Sequence, residues 1–385
     1  MPDSQTHTAP TSSPAPDLAP YEAIVLLSFG GPEGPEEVLP FLRRVTAGKN
    51  IPDERLVEVG QHYALFGGVS PINAQNRALI AALETELAER GQASKIWFGN
   101  RNSEPLMAET FTALAEAGHR RILAITTSAY SSYSSCRQYR ENIADAVAEC
   151  AERTGITLEV DKLRPYALHP GFAEANLAAL TAALREAVAA AGADQGPPAL
   201  LFVTHSIPTA MDETSGPGDG EGHLYSRQHL WLAEELTERA AAELGLPDLS
   251  SELVFCSRSG PPSQPWLEPD VNDRLEELAA AGTTHVVLAP IGFISDHMEV
   301  IYDLDTEAQA SAERLGLHLT RAATAGTEPA FVTGLVDLIV ERAAEARGER
   351  PVPIQWTGDD VRPAVCEPGC CPNLRTDRPA LCGRD

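Results

Sequence analysis

The sequence predicts an α/β protein with largely parallel sheets, built as two similar halves with a cleft between them. Three observations predict it. Apolar runs end in Gly- and Pro-containing loops, helical patterns separate those runs, and the same order of segments recurs after residue 196. The first run, YEAIVLLSFGGP (21–32), has the pattern of a buried parallel strand entering a loop. NRALIAALETELAER (76–90) spaces Leu and Ile at helical intervals, and KIWFGNRNSEP (95–105) follows as the next strand and loop. LAEAGHRRILAITTSAY (114–130) reads as a helix end, a Gly stop and a strand.

After the breaker AGADQGPP (191–198) the order returns. ALLFVTHSIP (199–208) answers the first strand, and SELVFCSRSGPP (251–262) answers the second. LAAAGTTHVVLAPIGF (278–293) answers 114–130, both reading Leu-Ala-x-Ala-Gly, three residues, then an apolar strand. The expected organisation is a disordered leader at 1–20, an N-terminal half at 21–195, a C-terminal half at 196–345 and a Cys-rich extension at 346–385.

Composition narrows the function. The 385 residues carry 55 acidic and 29 basic side chains, a formal net charge of −26. Phosphate neutralisation needs clustered Lys and Arg, so nucleic acid is excluded as a partner. MPDSQTHTAPTSSPAPDLAP (1–20) has no basic start and no apolar run, so it does not read as a signal peptide. No stretch reaches the roughly 18 apolar residues of a membrane span. A cytoplasmic monomer is expected.

The chemistry-bearing stretch is HMEVIYDLDTEA (297–308), which spaces Glu299, Asp303 and Glu307 four apart. On an α-helix these would stack on one face, about 6 Å apart along the axis. Like charges at that spacing repel, so a bound cation would offset a cost that a solvated face would simply bear. In α/β sheets ligands sit beyond the carboxyl ends of strands. His205 closes one such strand and the acidic run follows another, so the two are expected to confront each other across one groove. A neutral imidazole opposite an ionised carboxylate can accept protons or guide a divalent metal. No H-E-x-x-H hydrolase motif is present.

FVTHSIP (202–208), GPPSQPWLEPDV (260–271) and GFISDHMEVIYDLDTEA (292–308) resemble signature stretches of the ferrochelatase family, which inserts ferrous iron into a porphyrin. FGGVSPINAQNRALIAAL (66–83) and SFGGPEGPEEVLPFLRRV (28–45) fit the same family, and the resemblance spans roughly 21 to 345. It implies two Rossmann-like halves around a porphyrin cleft. His205 and Glu299 match the active-site histidine and glutamate, and Asp303 and Glu307 match the acidic row that leads Fe²⁺ inward. Ser70 and Tyr139 match positions that hold the porphyrin propionates, although Ser70 could instead cap the helix after Pro71. Phe29 stands where some relatives place an axial Tyr, and it cannot ligate iron. Thr46 and Ala47 replace an Arg pair before Gly48, and His62 replaces another Arg. Anion contacts are therefore expected from Arg43, Arg44 or Lys49.

The tail from 347 onward is dense in Pro and Gly and holds Cys366, Cys370, Cys371 and Cys382. It cannot build its own core, so a metal staple is expected. Adjacent Cys370 and Cys371 are awkward ligands for one small centre. The resemblance implies a [2Fe–2S] cluster held by Cys136 in the body with Cys366, Cys371 and Cys382, Cys370 being the alternative to Cys371. A structural zinc on the four tail cysteines competes with it. Cys150 and Cys256 read as small core hydrophobes. The short first loop and the Cys tail look like the actinobacterial branch, whose substrate is coproporphyrin III and whose product a later Fe-coproporphyrin decarboxylase consumes. Protoporphyrin IX is the alternative substrate, and a non-catalytic tetrapyrrole or iron carrier the alternative function.

Overall fold

β1 (Ala23–Ser28) is buried at all six positions, and its neighbours explain why. In the computed structural model, which describes residues 15–48, 51–192, 196–218, 220–260, 263–356 and 362–381, β1 lies inside a sheet covered on both faces. Ile24 and Leu26 enter one apolar cluster, while Ala23, Val25 and Leu27 enter another. That alternation is the period-2 geometry of a strand.

The first half continues with α1 (Pro35–Val45), α2 (Asp53–Ala64), α3 (Ile72–Glu89), β2 (Ile96–Asn100) and α4 (Met107–Glu116). β3 (Arg121–Thr126), a π-helical turn (Tyr133–Arg137), α5 (Gln138–Thr154), β4 (Glu159–Lys162) and α6 (Pro170–Ala191) complete it. The second half runs β5 (Ala199–His205), α7 (Thr209–Glu213), α8 (Leu224–Leu244), β6 (Ser251–Cys256), α9 (Val271–Ala280) and β7 (His285–Ala289). Then come α10 (Met298–Ile301), a second π-helical turn (Asp303–Ala308), α11 (Gln309–Leu315), β8 (His318–Arg321) and α12 (Pro329–Ala346).

Each half holds one parallel four-stranded sheet, ordered β2-β1-β3-β4 and β6-β5-β7-β8. The three sequence pairs that recur thus occupy equivalent strands. Packing does not follow the chain division at 195. α6 lies against β7, β8 and α8 of the second half, and α12 lies against α3 and α6. One apolar cluster therefore takes Ile24 and Leu26 from one sheet and Leu200 and Phe202 from the other. This shared core fixes the two sets of strand ends relative to each other.

The end of the expected leader is ordered, which corrects that expectation for residues 15–20. Leu18 is buried in the shared core, and Arg347 Nη1 donates to the carbonyls of Asp17 and Ala19 at 2.7 and 2.8 Å. One buried side chain and two charge-assisted bonds offset the ordering of so short a stretch. Among the described residues, no helix is long and apolar enough to cross a membrane.

Candidate active site

β5 delivers His205 to the carboxyl edge of the second sheet, and a buried network fixes its backbone there. Tyr225 Oη donates to the His205 carbonyl at 2.8 Å and lies 2.8 Å from Thr204 Oγ1. Thr204 Oγ1 is 2.9 Å from His229 Nε2, and His229 Nδ1 donates to the Tyr225 carbonyl at 2.7 Å. Burial pulls the His229 pKa down to about 3, so this imidazole is neutral. The loop after β7 crosses close behind, where a Cβ at Gly292 would stand 2.1 Å from Thr204 Oγ1. Only glycine fits that crossing.

His205 Nδ1 donates to the Ser206 carbonyl, which leaves Nε2 facing Glu299 Oε1 at 3.4 Å. The expectation of two groups confronting each other across a groove is corrected: they touch, side by side, on one wall. Their charge state also differs from the expected neutral imidazole. Burial alone would lower the His205 pKa, but the Glu299 charge and hydrogen bond outweigh it and raise the value to about 9. Burial alone would raise Glu299, and the facing imidazolium brings it to about 2. The pair is an imidazolium–carboxylate ion pair at neutral pH. Side-chain exposures of 30% and 42% show that it looks onto an open cleft, so water screens the attraction in part. His297 caps the turn beneath: its Nδ1 accepts from the Glu299 amide at 3.1 Å and lies 3.8 Å from Glu299 Oε2. Burial lowers the His297 pKa, so it stays a neutral acceptor.

The acidic row is not an ordinary α-helix. After one short turn of α10 the chain widens, and the Glu307 amide bonds the Tyr302 carbonyl five residues back at 2.9 Å. A turn of more than four residues brings positions four apart nearly into line. Asp303 sits largely enclosed, and burial, with Glu299 and Glu307 nearby, raises its pKa to about 7 despite the hydroxyl of Ser257. Ser257 adopts φ +64°, a left-handed conformation unusual outside glycine, just past the end of β6. His62 stacks on Tyr302 at 4.1 Å between ring centres, beside this row.

The opposite wall comes from the first half. Phe29, Gly30, Ser70, Arg101 and Tyr139 line the same cleft as His205 and Glu299, a cavity of about 720 Å³. That volume falls within the range of small-molecule sites. Ser70 is buried and its hydroxyl makes no capping bond, so the capping alternative is not what the structure shows. Tyr139 Oη is 3.4 Å from Thr127 Oγ1, and the Arg101 guanidinium lies 5.0 Å from the Tyr139 ring centre and 5.5 Å from that of Phe29. Burial lowers the Arg101 pKa, and no carboxylate pairs with it among the described residues. The expected anion donors are corrected accordingly. Arg43 pairs with Asp53, Arg44 lies 3.7 Å from Glu104, and neither lines the cleft. Lys49 lies outside the described residues.

The cysteines form a separate site behind this wall. Cys136, Cys366, Cys370 and Cys371 are all buried and cluster together, while Cys382 lies outside the described residues. Cys371 takes φ +51°, a left-handed conformation, and its sulfur lies 3.9 Å from that of Cys370. The Gly216 amide donates to Cys371 Sγ at 3.3 Å. Cys150 and Cys256 pack in the apolar clusters of the first and second halves. No three of the thiols, and no three groups of the acidic row, close on one ion position among the described residues.

Reasoning from sequence missed Arg101, Ser257 and the supporting role of His297. Arg101 had a signal, a cation one residue past a buried strand; Ser257 had none, since only its backbone angle aims it.

Residues 21–343 match the family model described as Ferrochelatase. A protein of Streptomyces coelicolor named coproporphyrin III ferrochelatase is 50% identical over 96% of this chain and 98% of its own. Its namesake from Streptomyces griseus subsp. griseus is 49% identical over the same shares, and that of Leifsonia xyli subsp. xyli 47% over 94% of each. Among solved structures, SirB from Bacillus subtilis with Fe3+ overlaps only partly, with a TM-score of 0.49 at 13% identity over 85% of this chain and 97% of that one.

Proposed function

The chain belongs to the ferrochelatase family, and on that premise we propose that it inserts ferrous iron into coproporphyrin III, giving Fe-coproporphyrin III for haem biosynthesis. It is a lyase-class enzyme of the cytoplasm in this reading, and its product passes to a decarboxylase. The observation that carries the proposal is the His205–Glu299 contact, set at the head of an acidic row and opening on a cleft of about 720 Å³.

Metallation replaces two pyrrole protons with Fe²⁺, so protons must leave as the cation arrives. Fe²⁺ entering along Glu307 and Asp303 meets an imidazolium that Glu299 holds charged. The incoming positive charge opposes that proton, as like charges do at short range. His205 Nε2 then loses it to solvent in the open cleft and becomes a neutral base, which takes the two pyrrole protons in turn and passes each to that solvent. Glu299 keeps its negative charge for the metal. On the opposite wall, the Ser70 hydroxyl and the Tyr139–Arg101 pair hold carboxylate arms of the ring.

The burial of Cys136, Cys366, Cys370 and Cys371 together supports a [2Fe–2S] cluster. Cys136, Cys366, Cys371 and Cys382 would hold it, Cys370 being the alternative to Cys371, although no three of these thiols close on one ion position among the described residues. Mutual hydrogen bonding and burial raise the pKa of the Cys136 thiol, and thiol contacts and burial push Cys370 up to about 12, so the metal itself must displace the protons. Such a cluster would supply a covalent staple for the tail, since metal insertion transfers no electrons.

Steady-state insertion of Fe²⁺ into coproporphyrin III and protoporphyrin IX, with iron and sulfide analysis of the purified protein, tests both readings. Preferred turnover of coproporphyrin III by a brown protein is expected. Bound porphyrin without insertion would leave a carrier, and a colourless protein with stoichiometric zinc would remove the cluster.

A further inference from the structure

The cysteine tail does more than pack on the body, because it brings an arginine to the cleft. Among the described residues that line the cleft, only Arg101 and Arg375 carry a guanidinium, and none is a lysine. Arg375 belongs to the tail, four residues after Cys371, at the rim formed by Tyr133, Ser134 and Ser135. Its guanidinium has no ion pair or hydrogen bond among the described residues. In a chain with 55 acids and 29 bases, an unclaimed cation beside a substrate cleft needs a reason.

The tail is fastened on both sides of this residue. Upstream, Cys366, Cys370 and Cys371 join Cys136, and the Cys371 amide donates to the Gly216 carbonyl at 2.8 Å. Asn373 Nδ2 donates to Glu141 Oε2 and to Tyr133 Oη, each at 3.1 Å. Downstream, Arg378 reaches Glu141 at 3.5 Å and also pairs with Asp145, and the Leu381 amide donates to the Arg140 carbonyl at 2.9 Å. Glu141 is fully buried, so the tail completes a charge network inside α5, the helix that also carries Tyr139. With both flanks pinned, Arg375 is held at the rim at a low entropic cost.

We propose that Arg375 is a carboxylate-binding residue of the cleft, so that docking of the cysteine tail and affinity for a multiply carboxylated tetrapyrrole are coupled. The inference rests on the porphyrin reading above. It gives the tail a role in a reaction that moves no electrons. A guanidinium recognises a carboxylate through two parallel N–H donors, and no other group on this rim offers that geometry among the described residues.

The test is equilibrium binding of coproporphyrin III and protoporphyrin IX, followed by fluorescence quenching, to the full chain and to Arg375→Gln and Arg375→Lys. Arg375→Gln is expected to raise the dissociation constant for coproporphyrin III roughly 10-fold, the low end for a charge-assisted bond at an exposed rim. Protoporphyrin IX, with two fewer propionates, should shift no more than about twofold. Arg375→Lys should recover part of the loss, because it keeps the charge but not the fork. Unchanged coproporphyrin affinity in Arg375→Gln, against a native protein that binds and metallates the ring, overturns the inference alone. A native protein that binds neither porphyrin overturns the inference and the porphyrin reading together.

Discussion

The two π-helical turns stand at similar places in the two halves, the first between β3 and α5 and the second, after the short α10, between β7 and α11. In the first, the Arg137 amide bonds the Ser132 carbonyl at 3.4 Å; in the second, the Glu307 amide bonds the Tyr302 carbonyl at 2.9 Å. Each holds an amide bonded to the carbonyl five residues back, yet they present opposite chemistry. The first displays Tyr133, Cys136 and Arg137, and its contacts run to the tail and to buried Glu141. The second displays Asp303 and Glu307 and runs toward His205. In the proposed reaction, one repeated scaffold would thus yield a wall that holds the substrate's anions and a wall that handles its cation. Such widened turns are frequent at functional sites.

The comparison breaks most visibly at the second wall. His205→Ala is expected to lower kcat by about 10²–10⁴-fold, the usual loss for a positioned acid–base group, with porphyrin binding kept. Single-turnover insertion with pre-bound porphyrin measures it. At the first wall the expected loss is in stability. Glu141→Ala would remove the carboxylate 3.2 Å from Arg137, whose side chain is 5% exposed and would keep its bond to the Arg378 carbonyl. Breaking a buried pair costs about 3–5 kcal/mol, so a lower denaturation midpoint and a looser tail should follow. If Glu141→Ala instead left stability unchanged and abolished insertion, the division of labour between the walls would be wrong.

The two walls were also unequally legible in the sequence. The second was readable because its residues are chemically distinctive and sit at strand ends: His205 closes an apolar run, and three acids four apart are hard to overlook. The fold was readable for a related reason, since the period-2 burial of Ile24 and Leu26 against Val25 and Leu27 is written as one apolar run with helices between. The first wall was not. Its cations, Arg101 and Arg375, are far apart in the sequence and line one cleft only through tertiary packing and the docked tail. The contact between His205 and Glu299 and its charged state depend on distance and enclosure, which no spacing rule supplies. Nor could sequence foresee the left-handed backbone of Cys371.

A finer test separates charge from position within the second wall. Glu299→Gln removes the attraction that holds the imidazole near pKa 9, so burial should then carry His205 below its ordinary 6.5. NMR titration of the His205 ring reads this directly. The sign for stability follows. A pKa raised in the folded state contributes stability that is complete below about 6.5 and is lost as pH rises through 9. Glu299, lowered to about 2, contributes stability above about 4.5 that is lost as pH falls through 2. Both contributions should vanish together in Glu299→Gln.

The smallest expected effect distinguishes the acidic row from a merely solvated face. Asp303 has a pKa near 7 in the folded protein, above its ordinary value, so its ionisation opposes folding. That cost is absent at pH below about 3.8 and grows as pH rises toward 7, the reverse of a paired carboxylate. Burial is the main cause and Glu307 a lesser one, so Glu307→Gln should lower the Asp303 pKa modestly, by less than removal of Glu299 would. A divalent cation taken up by the row favours the ionised carboxylate and must expel the Asp303 proton. Calorimetric titration with Zn²⁺ near pH 6.5, in two buffers of different ionisation enthalpy, should therefore show proton release in the native chain and less in Asp303→Asn. Equal release in both would mean that the cation bypasses Asp303, and the second π turn would then be an exposed acidic face with no part in bringing iron to His205.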